Sequence, residues 1–346
     1  MGTEEMLVKY DPEGLHKVYD RWPEIARESY ESNHEHIDES NVNHIIFAGM
    51  GGSGSVGDLF SSIFSKTNLF VSVVKGYNLP KNIDKNTLVI TTSVSGNTVE
   101  TLNILQNAFE SKCRVAAFSS GGKMEEYCKK HNILYKKLKQ NHSPRASFPT
   151  YVYSLLKNLE PLIPLTKTDI FDSIKSLEKT KTNIFSSNLT TTNNSLNLAK
   201  WISSIPLIYY PWGLQTAAIR FKNSLQENAK MHTITEDVVE ACHNGIVAWE
   251  NPSEIKPILI RGVDDYSKTK ETWQIIKQYF KNNEIDFYEI ISEHGNILSK
   301  LISLVYVLDY ASIYKAVISH IDPSPVLPIN YVKEQRSVTR EQIAQN

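Results

Sequence analysis

Two turns rich in glycine and hydroxyl side chains stand where a strand gives way to a helix, and their residue types are those that bind anions. The first, Gly49-Met50-Gly51-Gly52-Ser53-Gly54, ends the apolar run 44–49 and leads into a helix beginning near Ser55. Unpaired backbone N–H groups at such a helix start favour negative charge, and glycine lets a ligand approach the backbone closely. The second, Ser93-Val94-Ser95-Gly96-Asn97-Thr98, follows the run 87–92 and precedes a helix from Val99. Three hydroxyls, Ser93, Ser95 and Thr98, could enclose a phosphate without any cationic side chain, whereas one hydroxyl would suffice merely to cap the helix. The first turn also satisfies G-x-G-x-x-G. A dinucleotide site, however, needs an acidic residue about 20 positions on, and Lys75-Gly76-Tyr77 stands there instead. A nicotinamide-dependent oxidoreductase is therefore a minor reading, the lysine leaving room only for a 2′-phosphate.

Both turns need a sheet that brings them together. From Asn43 onward, short β-branched runs alternate with amphipathic stretches, the pattern of a parallel sheet covered by helices. Strands are expected at 44–49, 69–75, 87–92, 114–119 and 133–137, and a helix at 99–110, where Val99, Leu102, Leu105 and Phe109 share a face. This is an α/β, doubly wound unit. In a 2-1-3-4-5 strand order the first and third strands are neighbours at the switch point, so both turns line one crevice; in a 3-2-1 order they lie apart. After Pro149 helices are expected at 151–163 and 170–186, with a polar Asn/Thr connection at 188–197. The strand-helix rhythm resumes at 205–210, 214–230, 258–261, 270–281 and 287–292 and closes with a long helix at 296–319, as if a similar unit had been duplicated. The expected division is a helical arm at 1–34 carrying Trp22 and Tyr30, a first domain at 35–155, a helical connection at 156–200, a second domain at 201–335 and a tail at 336–346.

Composition excludes several classes. The 346 residues carry 37 Lys+Arg against 38 Asp+Glu, a net charge of −1 that leaves no surplus for gripping nucleic acid. The apolar stretch 301–318 contains Asp309 and Lys315 and reads as a buried helix rather than a membrane span. The start MGTEEMLVKYDPEG lacks the order of a secretory signal, and the three cysteines, Cys113, Cys128 and Cys242, form no C-x-x-C pair, which fits a reducing cytoplasm. His34-Glu35-His36 and the scattered histidines make no recognisable ligand set, so no metal is expected.

Further words follow the two turns in order: Pro144-Arg145-Ala146, Leu225-Gln226-Glu227-Asn228-Ala229-Lys230, Glu240-Ala241-Cys242-His243-Asn244 and Asp322-Pro323-Ser324-Pro325-Val326. With the turns they resemble the sugar-isomerase (SIS) domain proteins, and in particular the bifunctional phosphoglucose/phosphomannose isomerases of archaea and some bacteria, over about residues 35–335. The resemblance implies two SIS domains and a homodimer. It also implies interconversion of glucose 6-phosphate, mannose 6-phosphate and fructose 6-phosphate without cofactor or metal. That reaction opens the sugar ring and moves a proton between C1 and C2 through a cis-enediolate. It needs an acid/base for the ring, a carboxylate for the carbon-bound proton and a cation for the enediolate oxygen.

By the resemblance Glu227 transfers the proton, Arg145 steadies the oxyanion, and His243 opens the ring in the partner's active site. Lys333 matches a C-terminal-helix lysine that contributes to proton handling. Gly52, Ser53, Ser93, Ser95 and Thr98 bind the phosphorylated substrate with Arg145, and Ser324 stands where the family more often has threonine. Read without it, Glu227 is an exposed helix glutamate, His243 a structural histidine and Arg145 a surface ion-pair partner. Cys242 and His243 are adjacent and point apart, which rejects a nucleophile pair. Lys129, Lys130, Lys136, Lys137 and Lys139 form a solvated basic face with at most a steering role. The alternative from another class is a sugar-phosphate-binding SIS regulator, although no further domain is left over for it to control.

Overall fold

A computed structural model describes residues 2–33 and 37–345, with side chains up to Arg336. His34, Glu35 and His36 lie outside the described residues. The chain opens with three helices, α1 (Thr3–Tyr10), α2 (Leu15–Tyr19) and α3 (Trp22–Glu31). The first α/β unit runs β1 (His44–Ala48), α4 (Gly51–Phe64), β2 (Phe70–Val74), β3 (Thr87–Ser93), α5 (Val99–Glu110), β4 (Arg114–Ser119), α6 (Gly122–His131) and β5 (Leu134–Lys137). Three helices follow, α7 (Phe148–Asn158), α8 (Lys167–Ile184) and α9 (Asn194–Trp201). The second unit comprises β6 (Pro206–Tyr210), α10 (Gln215–Asn228), β7 (Ile234–Asp237), α11 (Val238–Ala241), a 3₁₀ turn (Gly245–Glu250), β8 (Lys256–Arg261), α12 (Ser267–Asn282), β9 (Tyr288–Ile291) and α13 (Ile297–Ile318). α14 (Leu327–Gln345) ends the described chain.

The first sheet is wholly parallel in the order β2-β1-β3-β4-β5. Its central strands β1 and β3 are buried along their whole length, as strands covered by helices on both faces are, with apolar residues at 45–48 and 88–90. β1 and β3 are therefore neighbours, and their two turns share a crevice as the 2-1-3-4-5 alternative requires. The second sheet repeats the order with one strand fewer, β7-β6-β8-β9, again all parallel. Both units are thus doubly wound, parallel-sheet α/β folds.

α13 is long and apolar enough to cross a membrane, but 83% of its most apolar window is buried inside the fold, packed by α8, α9 and α10. The N-terminal arm lies across this helix and α7. Trp22 stacks on Tyr19 and Tyr306, and the Tyr306 hydroxyl donates to the Tyr19 carbonyl at 2.6 Å. Each such aromatic pair adds about 0.5–1.5 kcal/mol beyond its buried area.

Three expectations are corrected. Residues 194–201, half of them inside the expected polar connection, form α9. Asn193 caps it by accepting from the Leu196 N–H, and Leu196, Leu198 and Ala199 are buried. The strand β7 was not expected; its four residues, Ile-Thr-Glu-Asp, are short, polar and on a sheet edge. Residues 336–345 are no separate tail but continue α14.

Candidate functional site

The turn after β1 starts α4 with no side-chain cap, leaving backbone N–H groups at its first residues for another acceptor. A Cβ at Gly49 would lie 2.9 Å from the Thr92 carbonyl, so this turn touches the end of β3 and only glycine permits the approach. The second turn is held closed by the Ser93 hydroxyl, which donates to the Thr98 hydroxyl at 3.0 Å, and by the Asn97 N–H, which donates to the Ser95 hydroxyl at 3.2 Å. Thr98 occupies the cap position of α5 without capping it through its side chain. The minimal reading of these hydroxyls as a helix cap therefore fails. Gly96 has a positive φ of 67°, and a Cβ there would fall 1.7 Å from the Gly121 carbonyl. Lys75, which a dinucleotide site would have used, instead donates to Asp58 on α4 at 2.5 Å. Burial pushes the Asp58 carboxyl up and Lys75 opposes that rise.

Arg145 sits beside the first turn: a Cβ at Gly52 would lie 3.6 Å from the Arg145 Cα and from the Pro144 carbonyl. Its guanidinium is buried, and most of its donors are committed. Nε donates to Asn228 Oδ1 at 2.6 Å, and Nη2 to the carbonyls of Pro323 and Ser324 at 2.6 and 2.9 Å. Only Nη1 is left, and it faces Glu227 Oε2 at a long 3.4 Å. Glu227, in the last turn of α10, keeps 26% of its side chain exposed against 5% for Arg145. The result is a rigid cation with one free edge next to an accessible carboxylate. Ser324 contributes its carbonyl to Arg145, while its hydroxyl lies 3.5 Å from His142 Nε2.

A buried layer that the sequence reading did not flag supports this pair. Arg220 donates from Nη2 to the Arg145 carbonyl at 2.7 Å, lies 3.9 Å from the Phe148 ring centre, and pairs with Asp309 at 2.6 Å. Asp309 also accepts from the Ser224 hydroxyl at 2.7 Å, and Asn228 donates to Ser312 at 2.7 Å. An aspartate within the otherwise apolar run 301–318 was the available signal, since a charge there is tolerated only with a buried partner. Lys230 donates to the carbonyls of Glu227 and Pro325 at 2.5 and 2.8 Å. Burial and then Arg145 push its ammonium down.

The structure thus gathers Gly52, Arg145, Glu227 and Ser324 in one place, with the Ser93–Thr98 turn across the same crevice. Ser53 is buried at the start of α4. His243 is exposed in the turn after α11, on the side of edge strand β7, and shares no contact with Arg145 or Glu227. The adjacent Cys242 thiol is pushed up by burial, Asp237 and Glu236, which removes any case for an activated nucleophile. Lys333 lies on exposed α14. Of the basic face, Lys129 and Lys137 pair with Glu125 at 2.7 and 3.1 Å.

The fold is doubly wound α/β in both units, and comparison with known proteins shows what it is similar to. Residues 191–335 match the bacterial phospho-glucose isomerase C-terminal SIS domain. A Thermus thermophilus structure, hypothetical protein TT0462, superposes with a TM-score of 0.73 at 14% identity, covering 99% of this chain and 94% of that one. A bifunctional phosphoglucose/phosphomannose isomerase of Caldicellulosiruptor bescii is 27% identical, over 90% of this chain and 96% of its own length. One of the same description from Aquifex aeolicus is 26% identical, over 93% and 96%. The chain is thus similar to these bifunctional isomerases over nearly its whole length.

Proposed function

We propose that the protein is an aldose-ketose isomerase that interconverts glucose 6-phosphate and mannose 6-phosphate with fructose 6-phosphate in the cytoplasm. The observation that carries the reading is the Arg145–Glu227 arrangement. A guanidinium held by three short hydrogen bonds gives its remaining nitrogen, Nη1, only a long 3.4 Å contact to a reachable carboxylate. A purely structural ion pair would close to the 2.6–2.9 Å of its other contacts, whereas a site must leave that edge for a developing oxyanion.

In this reading the phosphate sits against the backbone at Gly52 and Ser53 and the hydroxyls of Ser93, Ser95 and Thr98. Its anchoring holds C1 and C2 of the opened sugar at Glu227. Glu227 takes the proton from one carbon and returns it to the other, and Arg145 Nη1 stabilises the enediolate oxygen. The intermediate has lost its C2 stereochemistry, so reprotonation from either face yields glucose or mannose phosphate. Ser324 fixes Arg145 through its carbonyl, and Lys333 assists proton handling from α14.

Ring opening falls to His243 from a second copy of the chain. In support, His243 stands exposed on the edge-strand side of the second sheet, flanked in sequence by exposed Val239 and Val247. A mixed dimer of one Glu227→Gln and one His243→Ala chain then recovers activity at one of its two sites; no recovery overturns the shared site. The isomerase reading itself is tested by incubating fructose 6-phosphate with the protein in deuterated water. Deuterium at C2 of the product aldoses supports it; binding without exchange would mean a sensor instead.

A further inference from the structure

The turn formed by Ser93, Ser95 and Thr98 has no cation within it, yet one reaches its rim from the far end of the chain. Arg336 on α14 donates from Nη1 to Glu100 Oε1 at 2.6 Å. Glu100 is the second residue of α5, directly after the Thr98 cap and the first helical residue, Val99. The same carboxylate oxygen accepts from the Tyr77 hydroxyl at 3.0 Å, and the Tyr77 carbonyl is fixed by Asn103 Nδ2 at 2.7 Å. The side chain of Glu100 is 8% exposed and that of Arg336 53%. The carboxylate is therefore the fixed partner and the guanidinium the one free to move. Burial works against the Glu100 charge, but its own backbone N–H, Tyr77 and Arg336 together hold the carboxyl below its usual range.

We propose that Arg336 is a phosphate-binding and specificity residue, passing from Glu100 to the phosphate of the substrate when that group occupies the Ser93–Thr98 turn. The inference rests on the reading of that turn as the phosphate site. A phosphate dianion carries more charge than a carboxylate and accepts the guanidinium fork bidentately, so the exchange is favoured. It is also short. Glu100 and the turn lie within one helical turn, about 5.4 Å of rise, which an arginine side chain spans without rebuilding its helix. Lys333 is three residues before Arg336 and on the same helix face.

The experiment measures inorganic phosphate binding by titration calorimetry and KM for fructose 6-phosphate in the wild type, Arg336→Ala, Arg336→Lys, Glu100→Gln and the Arg336→Ala/Glu100→Gln double variant. Arg336→Ala is expected to weaken phosphate binding and raise KM roughly three- to tenfold, with a smaller change in kcat, and Arg336→Lys to recover part of the loss. Glu100→Gln frees the arginine and tightens phosphate binding, and that gain disappears in the double variant. Weakening by both single variants would make the pair a structural tie and overturn the proposal. So would a Glu100→Gln gain that survives without Arg336, since it would then reflect removal of a nearby negative charge alone. Should Ser95→Ala and Thr98→Ala leave phosphate binding intact, the phosphate-site reading falls instead, and the two failures are told apart.

Discussion

The two α/β units share a strand order but not the chemistry of their turns. In the first, the turn after β3 offers Ser93, Ser95 and Thr98 to the crevice. In the second, the corresponding turn after β8 reads Gly262-Val263-Asp264-Asp265-Tyr266-Ser267 and supplies its own anions. Asp264 accepts from Lys300 at 2.8 Å, and Asp265 accepts from the Trp273 indole N–H at 3.0 Å. The helices after the first strands also diverge. α4 begins with the glycine turn, whereas α10, packed against α4, carries Glu227 in its last turn. In the proposed reading the repeated fold is divided: one copy receives the phosphate, the other delivers the carboxylate. The fold sets where ligands can go, and the turn residues decide which.

The sharpest way to break this comparison is Glu227→Gln. If α10 contributes the base, kcat for fructose 6-phosphate falls by about 10²–10⁴, the range of general acid–base catalysis, and solvent deuterium no longer enters the product. Full turnover would leave the second unit without a catalytic part. The next is Asp309→Asn, which tests whether the second unit's interior holds the first unit's arginine in place. It leaves Arg220 buried without its counter-charge and is expected to destabilise the protein by about 3–5 kcal/mol in urea titration. Glu227→Gln, at a side chain 26% exposed, leaves the urea midpoint nearly unchanged.

The positions of the two turns were legible from residue types alone, because Gly-x-Gly-Gly-Ser-Gly and Ser-x-Ser-Gly-Asn-Thr each mark a strand giving way to a helix start. So were β1 and β3, whose apolar residues 45–48 and 88–90 are buried between covering helices. β7 was not, since an edge strand of four residues with an exposed and half-exposed pattern gives no periodicity to read. Asparagine-rich residues hid α9, where Asn193 is the cap rather than the connection. At the site, Arg145 and Glu227 were readable through family resemblance, but the layer beneath them was not. Arg220 and Asp309 lie 89 positions apart and meet only once α10 packs on α13. Arg336 and Glu100, 236 apart, are a still longer reach.

A smaller effect tests the turns themselves. If Ser95 and Thr98 bind the phosphate as proposed, Ser95→Ala/Thr98→Ala removes hydrogen bonds to a charged group, and KM for fructose 6-phosphate is expected to rise roughly ten- to hundredfold. Asp264→Ser in the second unit removes its pairs with Lys300 and His294, away from the Arg145–Glu227 pair, and leaves KM within about twofold. Equal effects from both would mean that the crevice does not distinguish the units.

The smallest effect concerns how each turn keeps its carboxylate. Glu100 in the first unit is held low by donors, whereas Asp265 in the second is pushed up by burial, against the pull of the Gly262 backbone, Trp273, Arg261 and Lys270. A carboxyl whose folded pKa lies above its unfolded value binds a proton more tightly when folded. It therefore costs stability while charged, and the cost fades as pH falls through the raised folded value toward the ordinary 3.8. Asp265→Asn removes the charge at every pH. The variant's urea midpoint relative to wild type should thus be most favourable at about pH 7 and decline toward about pH 4, as the wild-type aspartate takes up its proton. A Glu100→Gln variant should show the opposite trend. It loses a charge that stabilises the fold above the unfolded pKa, so its deficit is full at about pH 7 and shrinks below about pH 4 as the wild-type glutamate is protonated too. Parallel pH profiles for the two variants would mean that the turns hold their carboxylates alike, and the electrostatic division between the units would fail.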